Sequence, residues 1–435
     1  MVFTERNNMM QTSLYGRVSK LLESYEWSDC SFSVSGRNFK AHRLIMGISS
    51  PVFKAMFYGP LSTSDDIIIA DIEPDIFQLL IVYIYTDKVE ISCIEHAFEL
   101  LYAAKKYLLE DLREKCIDYI KANLSVDNVI SVLNFSEYIQ EDPLITDSLK
   151  LFCEHAKYLF NESLENITSS SLKIILESND INISERDLIV FAFQWAKVTC
   201  CSNGVADTFE NRRKCLVDNH LFKLLRFSIL SDKDLEIILN EDTNAKEAIE
   251  LAEITKMNIC NLNDSSCIKM TRNALKVREH ICHRRFLRSS APLVVDGQNN
   301  TIHVKMQVDK TIFINSLCVP TRMSPQINFH SDDAMLYSEQ FSVTVTCETD
   351  NCIIKSTNFM NTVEYDSNVF IEFSEPCVLQ KDKWYVINFS WPSGGCYSNR
   401  YIVVQRDVVV HQKVKFHFED TVSDGSFLES LKFSL

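Results

Sequence analysis

The sequence predicts a multidomain α+β protein in which an α/β N-terminal part, an all-helical middle and an all-β antiparallel sandwich follow one another. Residues 10–122 mix alternating runs such as CSFSVS with segments of helical period. Residues 123–258 keep the helical period and contain no convincing strand. From residue 289 to residue 435, short runs rich in Val, Ile, Phe and Thr recur between turn-forming stretches such as DGQNN and PSGG. Residues 259–288 are mainly polar and basic, which is typical of a junction.

The N-terminal part is expected to begin with a helix over LYGRVSKLLES, because its apolar residues recur at helical spacing. The strand CSFSVS and a second strand through Phe39 follow. Ser50-Pro51 predicts a helix start, since the serine side chain can accept an unpaired amide and proline fits the first helical position. Gly59-Pro60 predicts the end of that helix. A third strand, IIIADI, then leads into further helices, two of them over residues 92–107 and 110–122.

The middle is predicted to be a stack of helical hairpins, because polar breaks such as NISERD and CCSNG separate its periodic segments. The strands predicted for the sandwich are TIHVKMQV, KTIFINSLCV, FSVTVTC, VFIEFS and WYVINFSW. Their regular alternation with turn signals indicates two packed antiparallel sheets.

Composition and charge limit the classes of function that the chain could have. The chain has 435 residues, of which 46% are hydrophobic, so two or three domains with real cores are expected. The net charge of −15 and the absence of a long basic run argue against nucleic-acid binding and against a polybasic membrane anchor. No apolar run is long enough to cross a bilayer, and no signal peptide is evident. We therefore expect a cytoplasmic protein with protein partners, whose 15 scattered cysteines are reduced thiols.

The stretch FKAHRLIMGISSPVFKAMFYGPLS raises the question of catalysis, with Ser49 or Ser50 as nucleophile and His42 as base. A hydrolase elbow requires G-x-S-x-G, and the last glycine is missing here. No third group is evident that would orient the histidine. The pattern favours helix capping and packing, and because no glycine-rich phosphate loop or metalloprotease motif is present, we expect no enzyme and no cofactor.

The junction is the place where a metal could bind. It contains Cys260, Cys267, His280, Cys282 and His283, which are ligand types that zinc accepts. No Cys-x-x-Cys pair is present, and the adjacent Cys282 and His283 are poorly placed to ligate one ion together. A cysteine-rich linker without metal is the interpretation we favour, with zinc as the alternative.

At this point the residues resemble a known family. WSDCSFSVSGRNFKAHRLIMGISSPVFKAMFYGPL and IEPDIFQLLIVYIYTDKVEI resemble the BTB/POZ domain. The residues in register with its pattern are Asp29, Phe39, Ala41, His42, Arg43, Ser50, Phe53, Met56, Phe57, Pro74 and Tyr85. The segment ENRRKCLVDNHLFKLLRFSIL is similar to the BACK domain, and the C-terminal strands are similar to the PHR sandwich, so that nearly the full chain resembles the BTB-BACK-PHR proteins.

The resemblance implies a substrate receptor of cullin-3 ubiquitin ligases. In such proteins the BTB domain dimerises and binds the cullin, while the C-terminal domain binds the substrate. Cullin contact in the family uses a hydrophobic-x-acidic triplet, which aligns with Leu61-Ser62-Thr63, so the acid is missing here and Asp65 could replace it. Met56 and Tyr85 complete the expected cullin-binding set.

The resemblance also implies a homodimer and an internal polar frame. The expected dimer contacts are Leu14, Val18, Leu21, Leu22 and Phe32, with the first helix and first strand exchanged between subunits. The expected structural residues are Asp29, His42, Arg43, Ser50 and Phe53, with His42 directed toward Asp29.

Two other classes of function stay open. The missing acid at Thr63 suits a dimeric BTB scaffold or transcriptional regulator that engages no ligase. Sandwiches of this kind also serve as ligand-binding or enzymatic modules at their loop ends. The residues that would test this second alternative are Trp384, Trp391 and Tyr397.

Overall fold

The computed structural model describes residues 14–60, 67–231, 233–234, 271–284, 292–297, 299–325, 336–392, 399–402, 408–420 and 426–435. The three predicted parts are present in the predicted order. Within the described residues, no helix is long and apolar enough to cross a membrane.

The N-terminal part packs six helices around a three-stranded sheet. The helices are α1 (Leu14–Ser24), α2 (Arg43–Ser49), α3 (Pro51–Tyr58), α4 (Pro74–Thr86), α5 (Ile94–Lys106) and α6 (Glu110–Asn123). The strands are β1 (Cys30–Val34), β2 (Arg37–Ala41) and β3 (Ile67–Ile69). Strand β1 is central, since it pairs antiparallel with β2 and parallel with β3.

The Ser50-Pro51 prediction is confirmed in detail. The Ser50 hydroxyl oxygen accepts a hydrogen bond from the Phe53 amide at 3.2 Å, and Pro51 fills the first helical position of α3. Gly47 lets α2 and α3 approach closely, because a Cβ atom at this position would lie 3.1 Å from the Tyr58 ring. The capped start and the small residue together explain the tight α2–α3 hairpin.

The middle part is helical, as predicted. Its helices are α7 (Val129–Ile139), α8 (Asp142–Glu154), α9 (Ala156–Ser163), α10 (Ser169–Glu177), α11 (Glu185–Ser202) and α12 (Phe209–Asp218), with 3-10 turns at Leu164–Asn166, Phe222–Leu224 and Phe227–Ile229. Their apolar faces form one continuous core. The described part of the junction runs back along these helices, where Asn273 bridges to Asp180 as an isolated β-bridge.

The C-terminal part contains two main antiparallel sheets that enclose one core. Its strands are β4 (His280–His283), β5 (Leu293–Val295), β6 (Thr301–Val308), β7 (Ile312–Pro320), β8 (Leu336–Cys347), β9 (Cys352–Glu364), β10 (Asn368–Leu379), β11 (Trp384–Ser390), β12 (Asn399–Tyr401), β13 (Val408–His411), β14 (Val414–Asp420) and β15 (Ser430–Ser434). The strand orders are β10-β7-β15-β4 and β13-β14-β6-β11-β8-β9, and β12 and β5 form a separate pair.

Seven of the twelve described sandwich strands, including β4 and β9, were not predicted. Strand β4 lies inside the range expected to be junction, because the alternation of HICH places Cys282 in the sandwich core. Strand β9 was not predicted, because most of its side chains are exposed and its apolar alternation is weak. The five strands that were predicted correspond to β6, β7, β8, β10 and β11.

The helical middle and the sandwich contact each other directly. The His155 ring stacks on Phe313 with centroids 4.1 Å apart, and its Nε2 atom bonds the Leu435 carbonyl at 2.7 Å. The Asp127 carboxylate accepts the Thr311 amide at 3.1 Å and also the Thr311 hydroxyl. Burial lowers the pKa of His155 to about 4, so this imidazole is neutral at physiological pH.

Candidate protein interaction surface of the N-terminal domain

His42 is held in a buried polar frame, but its partners differ from those expected. Its Nε2 atom lies 2.7 Å from the Glu26 carbonyl oxygen, which can only accept, so Nε2 carries the proton. Its Nδ1 atom therefore accepts the Tyr85 hydroxyl proton at 2.7 Å, and the His42 amide donates to the same Tyr85 oxygen at 2.9 Å. The expected approach of His42 to Asp29 is wrong, because both ring nitrogens are already occupied.

Asp29 instead caps the start of α2. Its carboxylate accepts the Arg43 amide at 2.7 Å, and the Arg43 Nε atom donates to the Asp29 carbonyl at 3.0 Å. Asp29, His42 and Arg43 are thus structural, as the resemblance implied, although their pairing is different.

The side chains of Ser49 and Ser50 form hydrogen bonds with backbone groups. Ser50 donates to the Tyr107 carbonyl at 2.6 Å while its oxygen caps α3, and Ser49 donates to the Ile45 carbonyl at 2.9 Å. Neither bond involves His42. The hydroxyls therefore hold helix ends in place.

We expect Tyr85→Phe to lower the free energy of unfolding of this domain by about 1 to 3 kcal/mol, because the buried His42 amide would lose its acceptor. Burial raises the pKa of Tyr85, which keeps the hydroxyl protonated and able to donate to Nδ1. Urea denaturation checks this effect. Tyr138→Phe is the control, since the Tyr138 side chain is exposed, and equal stability of the two variants would contradict the prediction.

The described surface of this domain carries an apolar patch that sequence reasoning missed. Leu44 is 66% exposed and Ile48 is 76% exposed, and they lie four residues apart on one face of α2. Tyr58 at the end of α3 is 59% exposed, and its ring lies against Gly47, the neighbour of Ile48 in the sequence. We call these three residues the α2 patch. A cluster of exposed apolar side chains indicates a protein interaction site.

The expected dimer residues are only partly at the surface. Val18, Leu21 and Leu22 of α1 are half-buried and pack against the N-terminal core. The Leu14 side chain lies outside the described residues. Phe32 is a correction: it is 0% exposed, and its ring meets those of Phe53 and Phe77 at 5.5 and 5.2 Å. Because β1 is bonded on both sides within its own chain, it is a central strand and offers no free edge for exchange.

The expected cullin-binding residues have mixed positions. Met56 is half-buried on α3. Tyr85 is a second correction, because it is 2% exposed and its hydroxyl is occupied by His42. Leu61, Ser62 and Thr63 lie outside the described residues, as does Asp65.

The sandwich and junction residues set aside as ligand contacts are also placed. Trp391 is buried and donates its indole N–H to Glu339 at 3.2 Å, so it belongs to the core. Trp384 is half-buried, and Tyr397 lies outside the described residues. In the part of the chain that the structure describes, no group of three or more His, Cys, Asp or Glu side chains could hold a metal ion. Cys260 and Cys267 lie outside that part.

This arrangement, a small α/β core with an exposed apolar helix face, defines a protein interaction module. Residues 18–124 match the family model of the BTB/POZ domain, so the N-terminal part of the chain carries a BTB/POZ domain.

Curated relatives carry the same domain in their names. BTB/POZ domain-containing protein 6-A of Danio rerio is 28% identical over 244 residues, which are 54% of this chain and 45% of the relative. BTB/POZ domain-containing protein 3 of Homo sapiens is 32% identical over 177 residues, which are 40% of this chain and 34% of the relative. The matched segment spans less than half the length of these relatives. Among solved structures, the BTB domain of zebrafish PATZ1 matches at 23% identity over 25% of this chain and 88% of that chain, with a TM-score of 0.23.

Proposed function

We propose that the protein is a non-catalytic, homodimeric adaptor that binds cullin-3 through its BTB/POZ domain and the start of a BACK-like helical part. Its PHR-like sandwich would present a protein substrate for ubiquitination. The observation that carries the protein-binding role is the α2 patch, an apolar surface on a domain whose class mediates protein interactions. The cullin and the substrate enter through the resemblance of the sequence to the BTB-BACK-PHR proteins.

Homodimerisation is supported by two elements of the N-terminal domain. Val18, Leu21 and Leu22 of α1 are only half-buried, and Leu44 and Ile48 of the α2 patch are 66% and 76% exposed. A two-fold symmetric contact uses the same patch on both subunits, so each apolar residue of the patch is buried in both copies. Each fully buried Leu or Ile side chain contributes about 1.5 to 3 kcal/mol.

Cullin binding is supported by helix α3, the second helix of the α2–α3 hairpin. Helix α3 begins at the Ser50 cap, carries the half-buried Met56, and ends just before Leu61-Ser62-Thr63. Leu61 retains the hydrophobic anchor of the family's triplet. Thr63 replaces the acid, and a hydroxyl makes weaker hydrogen bonds than a carboxylate does.

We expect Leu61→Asp to abolish capture of the cullin-3 N-terminal region while the dimer stays intact. Loss of one buried Leu, at about 1.5 to 3 kcal/mol, weakens binding roughly ten- to a hundredfold even before the cost of burying a charge. A pull-down together with light scattering measures both properties. The matched control is Val410→Asp, an exposed apolar residue of the sandwich, which should leave capture unchanged. A wild-type chain that fails to bind the cullin region at about micromolar concentration would refute this part of the proposed function.

The second candidate is a dimeric scaffold or transcriptional regulator that engages no ligase. The threonine at position 63, in place of the acid, favours it. The same pull-down separates the two candidates, because only the adaptor retains the cullin.

A further inference from the structure

The two main sheets of the sandwich have four edge strands among the described residues, and three of these strands are protected against pairing with another chain. Strands β4 and β13 contain only four residues each. Strand β10 carries Glu372 and Pro376 and is interrupted by a bulge between Glu372 and Cys377. Short length, charge, proline and bulges are the devices by which native sheets blunt their edges.

The fourth edge, β9, has a bulge at Ile354 and a lysine on its inner face, but it is long and lacks proline. It is 13 residues long and contains no proline, and its pairing with β8 is regular from Lys355 to Glu364. Among the described residues, no strand pairs with its outer side. An edge of this length presents a row of free N–H and C=O groups, and only another extended backbone satisfies such a row.

The side chains of β9 specify which extended segment fits. Lys355 and Phe359 lie on the inner face, because they pair with the buried Val345 and Phe341 of β8. The Phe359 ring stacks on Phe341 with centroids 5.1 Å apart, and it is half-buried. On the outer face, Met360 is 73% exposed. Apolar side chains therefore remain open to a neighbour on both faces of the free edge.

Lys355 adds a charge requirement. It points inward at the open edge. Burial raises the pKa of the Cys377 thiol, and the positive charge of Lys355 opposes that rise. No ion pair between described residues includes Lys355. A strand added beside β9 would place a side chain directly opposite Lys355, where an acidic residue is favoured and a basic one is disfavoured.

We propose that β9 binds an extended segment of a protein partner by strand addition, and that this segment carries an acidic residue opposite Lys355 and a bulky apolar residue four positions away, opposite Phe359. Backbone hydrogen bonds supply the affinity, and the two side chains supply the specificity. The inference rests on the proposed function in so far as it makes this segment the substrate.

The test is a titration of the full chain with a fluorescent peptide of about ten residues, built of alternating Val and Thr with one Glu and one Phe four positions apart on the same face. We expect Lys355→Glu to weaken binding roughly tenfold, because an attractive cross-strand pair becomes repulsive. A second peptide with Lys in place of Glu should show the reverse order, binding the variant better than the wild type. This exchange of preference cannot arise from misfolding.

Two controls complete the design. Lys415→Glu changes an exposed lysine on β14 of the same sheet and should leave both affinities unchanged. N-methylation of alternate peptide bonds removes the donors of the added strand and should abolish binding.

Three outcomes would overturn the inference. One is no binding of either peptide up to about 1 mM. Another is equal binding by the wild type and Lys355→Glu. The third is self-association of the chain that is lost in Lys355→Glu, because the occupant would then be a second copy. Because the peptide titration contains no cullin, a negative result would not affect the dimer and cullin predictions.

Discussion

Replacing Ile48 with aspartate is expected to convert the proposed homodimer into a monomer. Ile48 is 76% exposed in the single chain, so the substitution removes no contact that the isolated domain needs. In a symmetric dimer it removes one isoleucine from each side of the contact, which is roughly 3 to 6 kcal/mol. The dissociation constant should rise about a hundred- to ten-thousandfold, and sedimentation velocity measures this change.

The control for this experiment is Ile68→Asp. Ile68 is equally exposed but lies on β3, outside the α2 patch. It should leave the dimer intact, and both variants should unfold at the wild-type temperature. A dimer that persists in Ile48→Asp would show that the α2 patch is not the contact.

The α2 patch could not be found by the pattern of apolar residues alone. The spacing of Leu44 and Ile48 shows that they share a face of a helix, but α2 buries Met46 and Gly47 instead. Which face of a short helix meets the core depends on tertiary packing, here on the tight approach of Tyr58 to Gly47.

Phe32 and Tyr85 show the opposite error. Both were assigned to surfaces, and both are buried. The alternation of CSFSVS correctly predicts which residues of β1 point inward. It does not show that β1 lies between two other strands. Nor does the helical period of α4 show that the Tyr85 hydroxyl is occupied by His42.

Local signals predicted the order of the three parts and many of their elements. The helix start at Ser50-Pro51, the helical middle and five sandwich strands all follow from capping chemistry and hydrophobic period. Strand β9 was not predicted because an edge strand with an open outer side lacks the full apolar alternation of its neighbours. Strand β9 and the α2 patch, which no other described part of the chain covers, are the features that we associate with binding.

The second large effect is expected at Glu141, which joins the BTB/POZ domain to the helical middle. Glu141 is 1% exposed and lies between α7 and α8. Arg113 of α6 donates to its two carboxylate oxygens from Nε and from a terminal nitrogen, at 2.8 and 2.7 Å. Lys105 of α5 lies 2.9 Å from the same carboxylate.

We expect Glu141→Ala to lower the free energy of unfolding by about 3 to 5 kcal/mol, because two cations would lose the buried anion that pairs them. Hydrogen exchange of the α7 amides reports this loss locally, which matters in a multidomain chain that need not unfold in two states. The matched control is Glu110→Ala, which removes the exposed second partner of Arg113. That change should cost less than about 1 kcal/mol, and similar losses in the two variants would refute a special role for Glu141.

We also expect the stability of the fold to depend on pH through the Glu141 carboxylate. Burial alone would raise the pKa of Glu141, but hydrogen bonds from Arg113 and Lys105 outweigh it and hold the pKa below the usual value of 4.5. Because the folded pKa is the lower one, the ionised group stabilises the fold above pH 4.5, and this contribution is lost as the pH falls through the folded pKa. The stability difference between the wild type and Glu141→Gln should therefore be constant near neutral pH and shrink below pH 4.5. A difference that does not change with pH would mean that the shape of the side chain, rather than its charge, holds α6 against the α7–α8 turn.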